Sequence, residues 1–299
     1  MILEVFLSAA LMGAPPERSE LPANVIPRCI VSVIHDIKVP AQEAGVLTGI
    51  EVKEGMLIEK DKQLGLINDV QAQMQLRASM AELSVARLKA DDDVNVRYSK
   101  AAFAVSEKEL QLHQQANVNQ RVTSAVEMNK LRLQVEQAGL QIEKSEHERK
   151  IAGSEADVSQ AKVDLAQEQI RRRKILSPID GEVVEILARA GEWVEPGNPV
   201  FRVVGLQKLR VEGFANFTKL SPSDASNRPV SVTVQLSRGR QEHFTGKIVF
   251  VHPIVLAGGM YRVWAEVENR VENGQFLLRP GVEATMTIDN SLQAAAVGR

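Results

Sequence analysis

A chain of 299 residues is long enough for two or three compact domains, yet aromatic residues make up only 4% of it. That is thin for globular cores of such total size, so part of the length is expected to be elongated. Its 36 basic and 38 acidic residues are well mixed and leave a net charge of -2, which offers neither a basic face for nucleic acid nor an acidic tail.

The chain opens with a segment, residues 1–28, that reads as signal-like or as a disordered end. An apolar run from Val5 to Met12 is followed by small Gly13 and Ala14, as in a secretory leader, but Glu4 and the pair Pro15-Pro16 fit that pattern poorly. No other stretch approaches the roughly 18 to 20 apolar residues needed to cross a bilayer, so the remainder is expected to be soluble or peripherally held at a membrane. The single cysteine, Cys29, excludes an intrachain disulfide. Pro27 and Arg28 beside it are not the small residues expected around a lipidated cysteine, and it reads as a free thiol.

Residues 29–68, which begin with a first strand or strands, and 175–205 carry two copies of one pattern. The first runs Val39-Pro40-Ala41-Gln42-Glu43-Ala44-Gly45, then Ile50 and Val52, Lys53-Glu54-Gly55, Ile58, Asp61 and Leu64. The second runs Ser177-Pro178-Ile179-Asp180-Gly181, then Val184 and Ile186, Arg189-Ala190-Gly191, Val194, Gly197 and Val200. The steps from Gly45 to Gly55 to Asp61 are ten and six, and those from Gly181 to Gly191 to Gly197 are ten and six again. Glycines between short alternating strands supply turns with positive φ, and aspartate tolerates that geometry where Asp61 replaces Gly197. The six positions Gly45, Gly55, Asp61, Gly181, Gly191 and Gly197 are therefore expected to be turns, and the two copies to be halves of one small β-sandwich.

Between the copies, residues 69–174 contain no proline and are rich in Ala, Gln, Glu, Lys and Leu, with only Gly139 and Gly153 breaking the helix-forming composition. The series Met128, Leu131, Val135, Ala138, Ile142, Ser145, Arg149, Ala152, Ala156, Ser159, Val163, Ala166, Ile170 keeps a strict three-four spacing, a heptad seam. The first arm shows Leu76, Met80, Leu83, Ala90, Val94 and Ala101 in one frame, then shifts by one through Tyr98, Val105 and Leu112. Two arms of about 45 residues each, on the order of 65 Å, pair only if the chain reverses. The apolar spacing lapses over 114–123, and Ser124 with Glu127 is a capping-box signature that restarts the helix. The many alanines and serines of the seams bury little area, so the antiparallel hairpin is expected to gain from neighbours.

Residues 206–289 turn to clean alternation: Leu209 and Val211; Val230, Val232, Val234 and Leu236; Val263, Ala265 and Val267; Val282, Ala284, Met286 and Ile288. With Gly258-Gly259 and Pro280-Gly281 as turns, they suit a small closed β-barrel, followed by a frayed tail over 290–299. The fold class is thus mixed α and β, elongated: a split lipoyl-like β-sandwich with an inserted coiled-coil hairpin and a barrel behind it.

This order of parts resembles the periplasmic adaptor, or membrane fusion protein, family of haemolysin-secretion-type and multidrug-efflux systems, over residues 30 to 289. The phrase Ile175-Leu176-Ser177-Pro178-Ile179-Asp180-Gly181 through Gly191-Glu192-Trp193-Val194-Glu195-Pro196-Gly197 is similar to the family's most recognisable stretch. The resemblance implies a non-catalytic envelope subunit in the periplasm, associated with the cytoplasmic membrane. It also implies a homo-oligomeric ring linking an inner-membrane transporter of ABC or RND type to an outer channel. Tip residues Val118, Asn119, Gln120, Arg121 and Ser124 would meet the distal partner, and barrel residues such as Arg238 and Arg240 would face the transporter. In the family an arginine, a leucine and a serine near the tip accompany docking to a TolC-like channel. With Ser124 in the serine place, the other two positions here are His113 and Gln120, which puts a TolC-like partner in question. The chain also stops soon after the barrel, so the further membrane-proximal domain found in many relatives is expected to be missing or vestigial.

Two other readings compete. A coiled-coil scaffold could tether envelope proteins without forming a conduit, and ring closure separates the two. The lipoyl likeness invites a carrier protein, and Asp61-Lys62 imitates a lipoylation turn. That pair lies inside the first half, not at the turn joining the halves, and no Met-Lys-Met occurs. His35, His113, His147, His243 and His252 show no ligand spacing, and neither a phosphate loop nor a Gly-x-Ser-x-Gly elbow is present, so no metal, cofactor or catalytic residue is expected.

Overall fold

The computed structural model describes residues 22–120 and 123–289; the signal-like reading of residues 1–21 and the tail from 290 lie outside them. Strand β1 (Val25–Val33) comes first, followed by β2 (Asp36–Pro40), β3 (Gly45–Ile50), β4 (Leu57–Ile58) and β5 (Gln63–Ile67). Three helices follow: α1 (Val70–Asp91), α2 (Val94–Gln120) and α3 (Ala125–Arg173). The second half-motif supplies β6 (Lys174–Leu176), β7 (Gly181–Ile186), β8 (Trp193–Val194) and β9 (Pro199–Val204). The remainder is β10 (Lys208–Asn216), the single turn α4 (Pro222–Ala225), β11 (Pro229–Gln235), β12 (Gln241–Leu256), β13 (Met260–Glu268), β14 (Val271–Glu272), β15 (Gln275–Phe276) and β16 (Glu283–Ile288). Two compact units result: Lys38–Pro178 with Val183–Arg202, and the rest of the described chain.

The two half-motifs interleave. One sandwich sheet has the order β2-β9-β7-β4 and the other β6-β5-β3-β8, so each takes two strands from either half. The linking hydrogen bonds come in reciprocal pairs. Gly55 N–H donates to Val183 O (2.8 Å) and Gly191 N–H to Leu47 O (2.7 Å); Asp61 N–H donates to Ser177 O (2.8 Å) and Gly197 N–H to Ala41 O (2.9 Å). Each bond becomes its counterpart when the halves are exchanged, as a pseudo-twofold repeat requires. Leu47, Leu64, Ile67, Val183, Val200 and Phe201 fill the space between the sheets and are almost fully buried.

The six expected turn positions divide into two kinds. Gly55, Asp61, Gly191 and Gly197 have φ of 81°, 64°, 93° and 91°, the left-handed geometry for which glycine, and next aspartate, is suited. Gly45 and Gly181 open strands β3 and β7 and are not turns. At Gly181 space alone excludes a side chain, since a Cβ would collide with the carbonyl oxygen of Val204, whereas at Gly45 a φ of 156° adds to a Cβ contact of 2.7 Å with Ile67 Cγ2.

The barrel closes in the order β1-β10-β13-β12-β11-β16. The expected strands bury one face as their alternation demands, with Leu209, Val211, Val232, Val234, Val263, Ala265, Met286 and Ile288 at its centre. Two strands correct the sequence reading. Residues 25–33, divided above between the disordered end and the sandwich, form a barrel strand that joins β10 through Ile30–Val33 and β16 through Val25–Ile30. A bulge between Ile26 and Cys29, with Arg28 at φ 53°, breaks its alternation. Strand β12 was not foreseen; its register shifts twice, between Ile248 and Phe250 and again between Val251 and Val255. Cys29 lies buried in the barrel core, its Sγ 3.3 Å from Ile26 O, and burial pushes the thiol up to about 11.

The hairpin seam on α3 follows the expected series: every member is buried or half-buried except Arg149. The other arm differs. It is two helices, interrupted not at a glycine but at Asp92 and Asp93, where Asp92 Oδ1 accepts from Val94 N–H (3.0 Å) and restarts the chain as α2. Aspartate competes for backbone donors in this way. Its inner face is Ala72, Leu76, Ser79, Leu83, Ala86 and Ala90 on α1, then Val96, Ser99, Phe103, Ser106 and Leu110 on α2. Met80, Val94 and Ala101, expected in the seam, are exposed, and so are Tyr98, Val105 and Leu112. The reversal is also shorter than 114–123, since α2 runs on to Gln120 and α3 begins at Ala125.

Candidate functional site

The site is the hairpin with its base. Three arginines end α3, where cations suit the negative end of the helix dipole. Arg173 Nη1 donates to Asn68 O (2.6 Å) and Arg172 reaches Glu43 (3.9 Å), tying the helix to the sandwich. Glu168 accepts from both Arg171 and Arg172, and those guanidiniums hold its carboxyl down to about 2.

Along the seam, small side chains let α3 approach α1 and α2 closely. Ser99 and Ser145 are both buried and their hydroxyls lie 2.9 Å apart, and Phe103 fits against Gly139, where a Cβ would sit 3.6 Å from its ring. Glu82 to Lys162 (2.9 Å) and Lys100 to Glu146 (2.7 Å) flank it; exposed pairs of this kind add little stability, and their use is to fix the level at which the arms pair. Arg149, the misfit of the heptad series, donates its Nε to Ala90 O (3.4 Å), a carbonyl freed where α1 stops.

The tip is built by Asn117, which sequence reasoning did not single out. Its Oδ1 accepts from Thr123 N–H (2.7 Å) and its Nδ2 donates to Thr123 O (3.1 Å), bracing the reversal from within. The clue was an asparagine one turn before the end of a helix, a residue that readily bonds exposed backbone. Among the residues expected at the distal partner, Val118 is 85% exposed, Asn119 and Gln120 are the last two residues of α2, and Arg121 lies outside the described residues. Ser124 is the N-cap of α3, its hydroxyl accepting from Glu127 N–H (3.3 Å). His113, in the place of the family's arginine, is half-buried with Nδ1 3.1 Å from Thr123 Oγ1. Ser124→Ala is expected to lower stability by about 1 kcal/mol, measured by urea denaturation, with the increased amide exchange confined to the tip.

A second apolar stripe runs along each arm. Two residues on from the inner seam, about 200° round the helix, stand Met74, Ala78, Ala81, Val85 and Leu88 on α1 and Tyr98, Ala101, Val105 and Leu112 on α2, all exposed. The same offset on α3 gives Leu133 and Leu140, then, after a polar break at Lys144 and His147, Ile151, Ser154, Val158, Ala161 and Leu165; Gln137 and, on α2, Lys108 are further polar members. Each stripe keeps heptad spacing and faces away from the partner arm, so the hairpin has two apolar outer edges. On α3, Ile151, Ser154, Glu155, Val158, Ser159 and Lys162 frame a shallow groove of about 380 Å³, the kind of hole that receives a knob from a facing helix.

In the barrel, Arg240 is tied to Glu242 (2.7 Å) and Glu272 (3.1 Å), and Arg238 lies in the 3-10 turn Ser237–Gly239. Lys62, the lysine that imitates a lipoylation site, follows Asp61 within the first half, and its carbonyl accepts from Ser177 N–H (2.9 Å). Among the described residues no group of His, Cys, Asp and Glu could hold a metal ion, and no helix is long and apolar enough to cross a membrane.

Comparison with known proteins places this architecture. The chain is 25% identical over 181 residues to the macrolide export protein MacA of Escherichia coli O157:H7, covering 58% of this chain and 43% of the relative. It is 23% identical over 193 residues to YdhJ of Escherichia coli K12, covering 62% and 55%. It therefore spans about half the length of the curated relatives it matches. The crystal structure of MacA from Actinobacillus actinomycetemcomitans superposes with a TM-score of 0.59 at 21% identity, over 91% of this chain and 81% of that one. The membrane fusion protein Spr0693 of Streptococcus pneumoniae R6 superposes with a TM-score of 0.51 at 17% identity, over 89% and 98%. Residues 35–206, more than half of the chain and bounded by the two interleaved half-motifs, match the family described as RND MFP, barrel-sandwich hybrid domain, and the chain belongs to that family of membrane fusion proteins.

Proposed function

We propose that the protein is a periplasmic adaptor subunit whose copies pack edge to edge through the outer stripes of their hairpins. The closed ring links an inner-membrane transporter, of ABC or RND type, to an outer channel or another envelope partner, with the protein peripheral to the membrane. It performs no chemistry of its own. Membrane fusion proteins are non-enzymatic structural proteins, and the family match supports this reading. The observation that carries it is the second heptad stripe. An apolar edge on each arm, with Val85 and Val158 at about one level beside the Glu82–Lys162 pair and both turned from the intrachain partner, suits the α1 side of one copy to the α3 side of the next. The tip residues Val118, Asn119, Gln120, Arg121 and Ser124 would then form the distal rim. With His113 turned inward on Thr123, that rim would present a different surface from the arginine pattern associated with TolC-like channels.

Cysteines at Val85 and Val158 test the assembly. The two positions lie on opposite outer edges of one hairpin, so a crosslink between them joins neighbouring copies. A ladder that ends at one closed species, matching the native mass, is expected. An open-ended ladder favours the coiled-coil tether, and a chain that stays monomeric at high concentration overturns both. Intact mass without a lipoyl or biotinyl addition at Lys62 removes the carrier reading.

A further inference from the structure

The barrel carries an apolar end that the adaptor reading leaves unused. From Pro253 to Tyr261 the chain has no charged residue. These residues form the end of the β12–β13 hairpin, turning through Gly258 and Gly259 at φ 92° and 73°. Ile254, Val255 and Leu256 are exposed there. Phe217 joins them, its N–H donating to Gly259 O (2.8 Å) and its ring half exposed.

The backbone of this end is largely satisfied internally. Val255 pairs with Tyr261 and Leu256 with Met260, and Gly259 N–H donates to Leu256 O (3.1 Å). In the bulge before them Pro253 has no N–H to satisfy, and Ile254 N–H donates to His252 Nδ1 (3.1 Å). Such a tip can leave water with few stranded polar groups, as an apolar environment favours. Behind the tip, about 13 Å along β13 at the strand rise, Trp264 stacks on Phe250 (4.2 Å). Arg210 and Arg262 lie over its ring at 4.8 and 5.5 Å, with Glu212 paired to Arg262. An aliphatic point backed by an aromatic and arginine band has the grading of a surface that sits at a membrane interface. A protein hot spot places its aromatic and arginine anchors at the centre instead.

The path of the chain points the same way. Pro22 and Ala23, where the described residues start, line a cleft of about 290 Å³ together with Phe214 and Met260, the latter being the pairing partner of Leu256. The apolar run Val5–Met12 precedes Pro22 by ten residues, a separation of at most about 35 Å.

We propose that the β12–β13 hairpin end, with Phe217, is a lipid-contacting surface that dips into the interfacial layer of a bilayer. This goes beyond the adaptor reading and does not depend on ring closure. The test uses the full chain with an environment-sensitive fluorophore on Ala257→Cys, and separately on Gln241→Cys at the other end of the same strand. Cys29 is buried and its thiol held up to about 11, so it does not compete for label. On vesicles of phosphatidylethanolamine and phosphatidylglycerol, the probe at 257 is expected to shift to the blue and be quenched by lipid-borne quenchers, while the probe at 241 is not. The double variant Ile254→Ser, Leu256→Ser is expected to lose that quenching and to weaken vesicle binding about tenfold per aliphatic side chain removed. Continued protection of Cys29 from thiol reagents reports that its barrel is folded. A probe at 257 that stays in water on vesicle-bound protein overturns the proposal and makes the end a protein contact; failure of the full chain to bind vesicles also overturns it.

Discussion

Substituting both Val158 and Leu165 by glutamate is expected to give a folded chain that no longer assembles. Both side chains are about 60% exposed in the single chain, so their replacement removes little intrachain packing. Glutamate is also a good helix former, so the helix is expected to tolerate both changes. In the assembly the same two positions face a neighbouring hairpin. Losing two buried aliphatic side chains removes about 3–6 kcal/mol per interface, and an unpaired carboxylate in an apolar seam costs more. At about 1.4 kcal/mol per tenfold, each contact weakens by at least about a hundredfold, and a ring loses every contact at once. Sedimentation and native mass should report monomers where the unaltered chain forms a closed species, with the helical circular dichroism unchanged and the urea midpoint equal to that of the unaltered chain diluted until it dissociates. A variant that still assembles places the interface elsewhere; one that unfolds shows that the stripe packs within the chain.

How much of this was legible in sequence depended on whether a signal was local. The α3 seam was readable because thirteen positions keep one spacing on an unbroken helix. The stripe of Tyr98, Val105 and Leu112 was equally readable, but periodicity reports that a face is apolar and not which partner covers it. An outer edge was therefore read as a shifted inner one. The break at the three aspartates 91–93 was not foreseen, because an acidic run equally suits a solvated helical face and only the capping of Val94 N–H by Asp92 distinguishes the two. In the barrel, β10, β11, β13 and β16 alternate cleanly and were found. That the first strand starts at Val25 and belongs to the barrel was missed because its partners lie far along the chain and its bulge at Ile26 to Cys29 spoils the alternation. The bulges around Val249 and Pro253 hid β12 in the same way. At the tip, the cap at Ser124 was found by its spacing to Glu127, whereas the brace by Asn117 depends on a reversal whose geometry no local pattern encodes.

The glycines of the half-motifs carry the sharpest test, because the sequence pattern treats them alike and the structure does not. Gly191 has φ 93° and nothing within 4 Å of a Cβ built on it, so Gly191→Ala meets open space and costs only backbone strain, about 1 kcal/mol or slightly more. Gly181 lacks that left-handed φ but opens β7 against β9, where the first atoms a Cβ meets are the carbonyl oxygen and carbon of Val204. Backbone atoms held in a sheet cannot turn aside as a side-chain end can, so relief requires β7 and β9 to separate. Gly181→Ala is therefore expected to cost about 3 kcal/mol or more, beyond the usual range for an overpacked side chain that can rearrange. The two variants compared by urea denaturation should differ by at least about 2 kcal/mol, with Gly181→Ala the weaker. Because β7 joins strands of both half-motifs, that loss should also loosen the base beneath Arg172 and Arg173, raising amide exchange at the foot of the hairpin before its tip. Equal losses from the two substitutions would mean that turn geometry, and not the close approach of β7 and β9, is what both glycines serve.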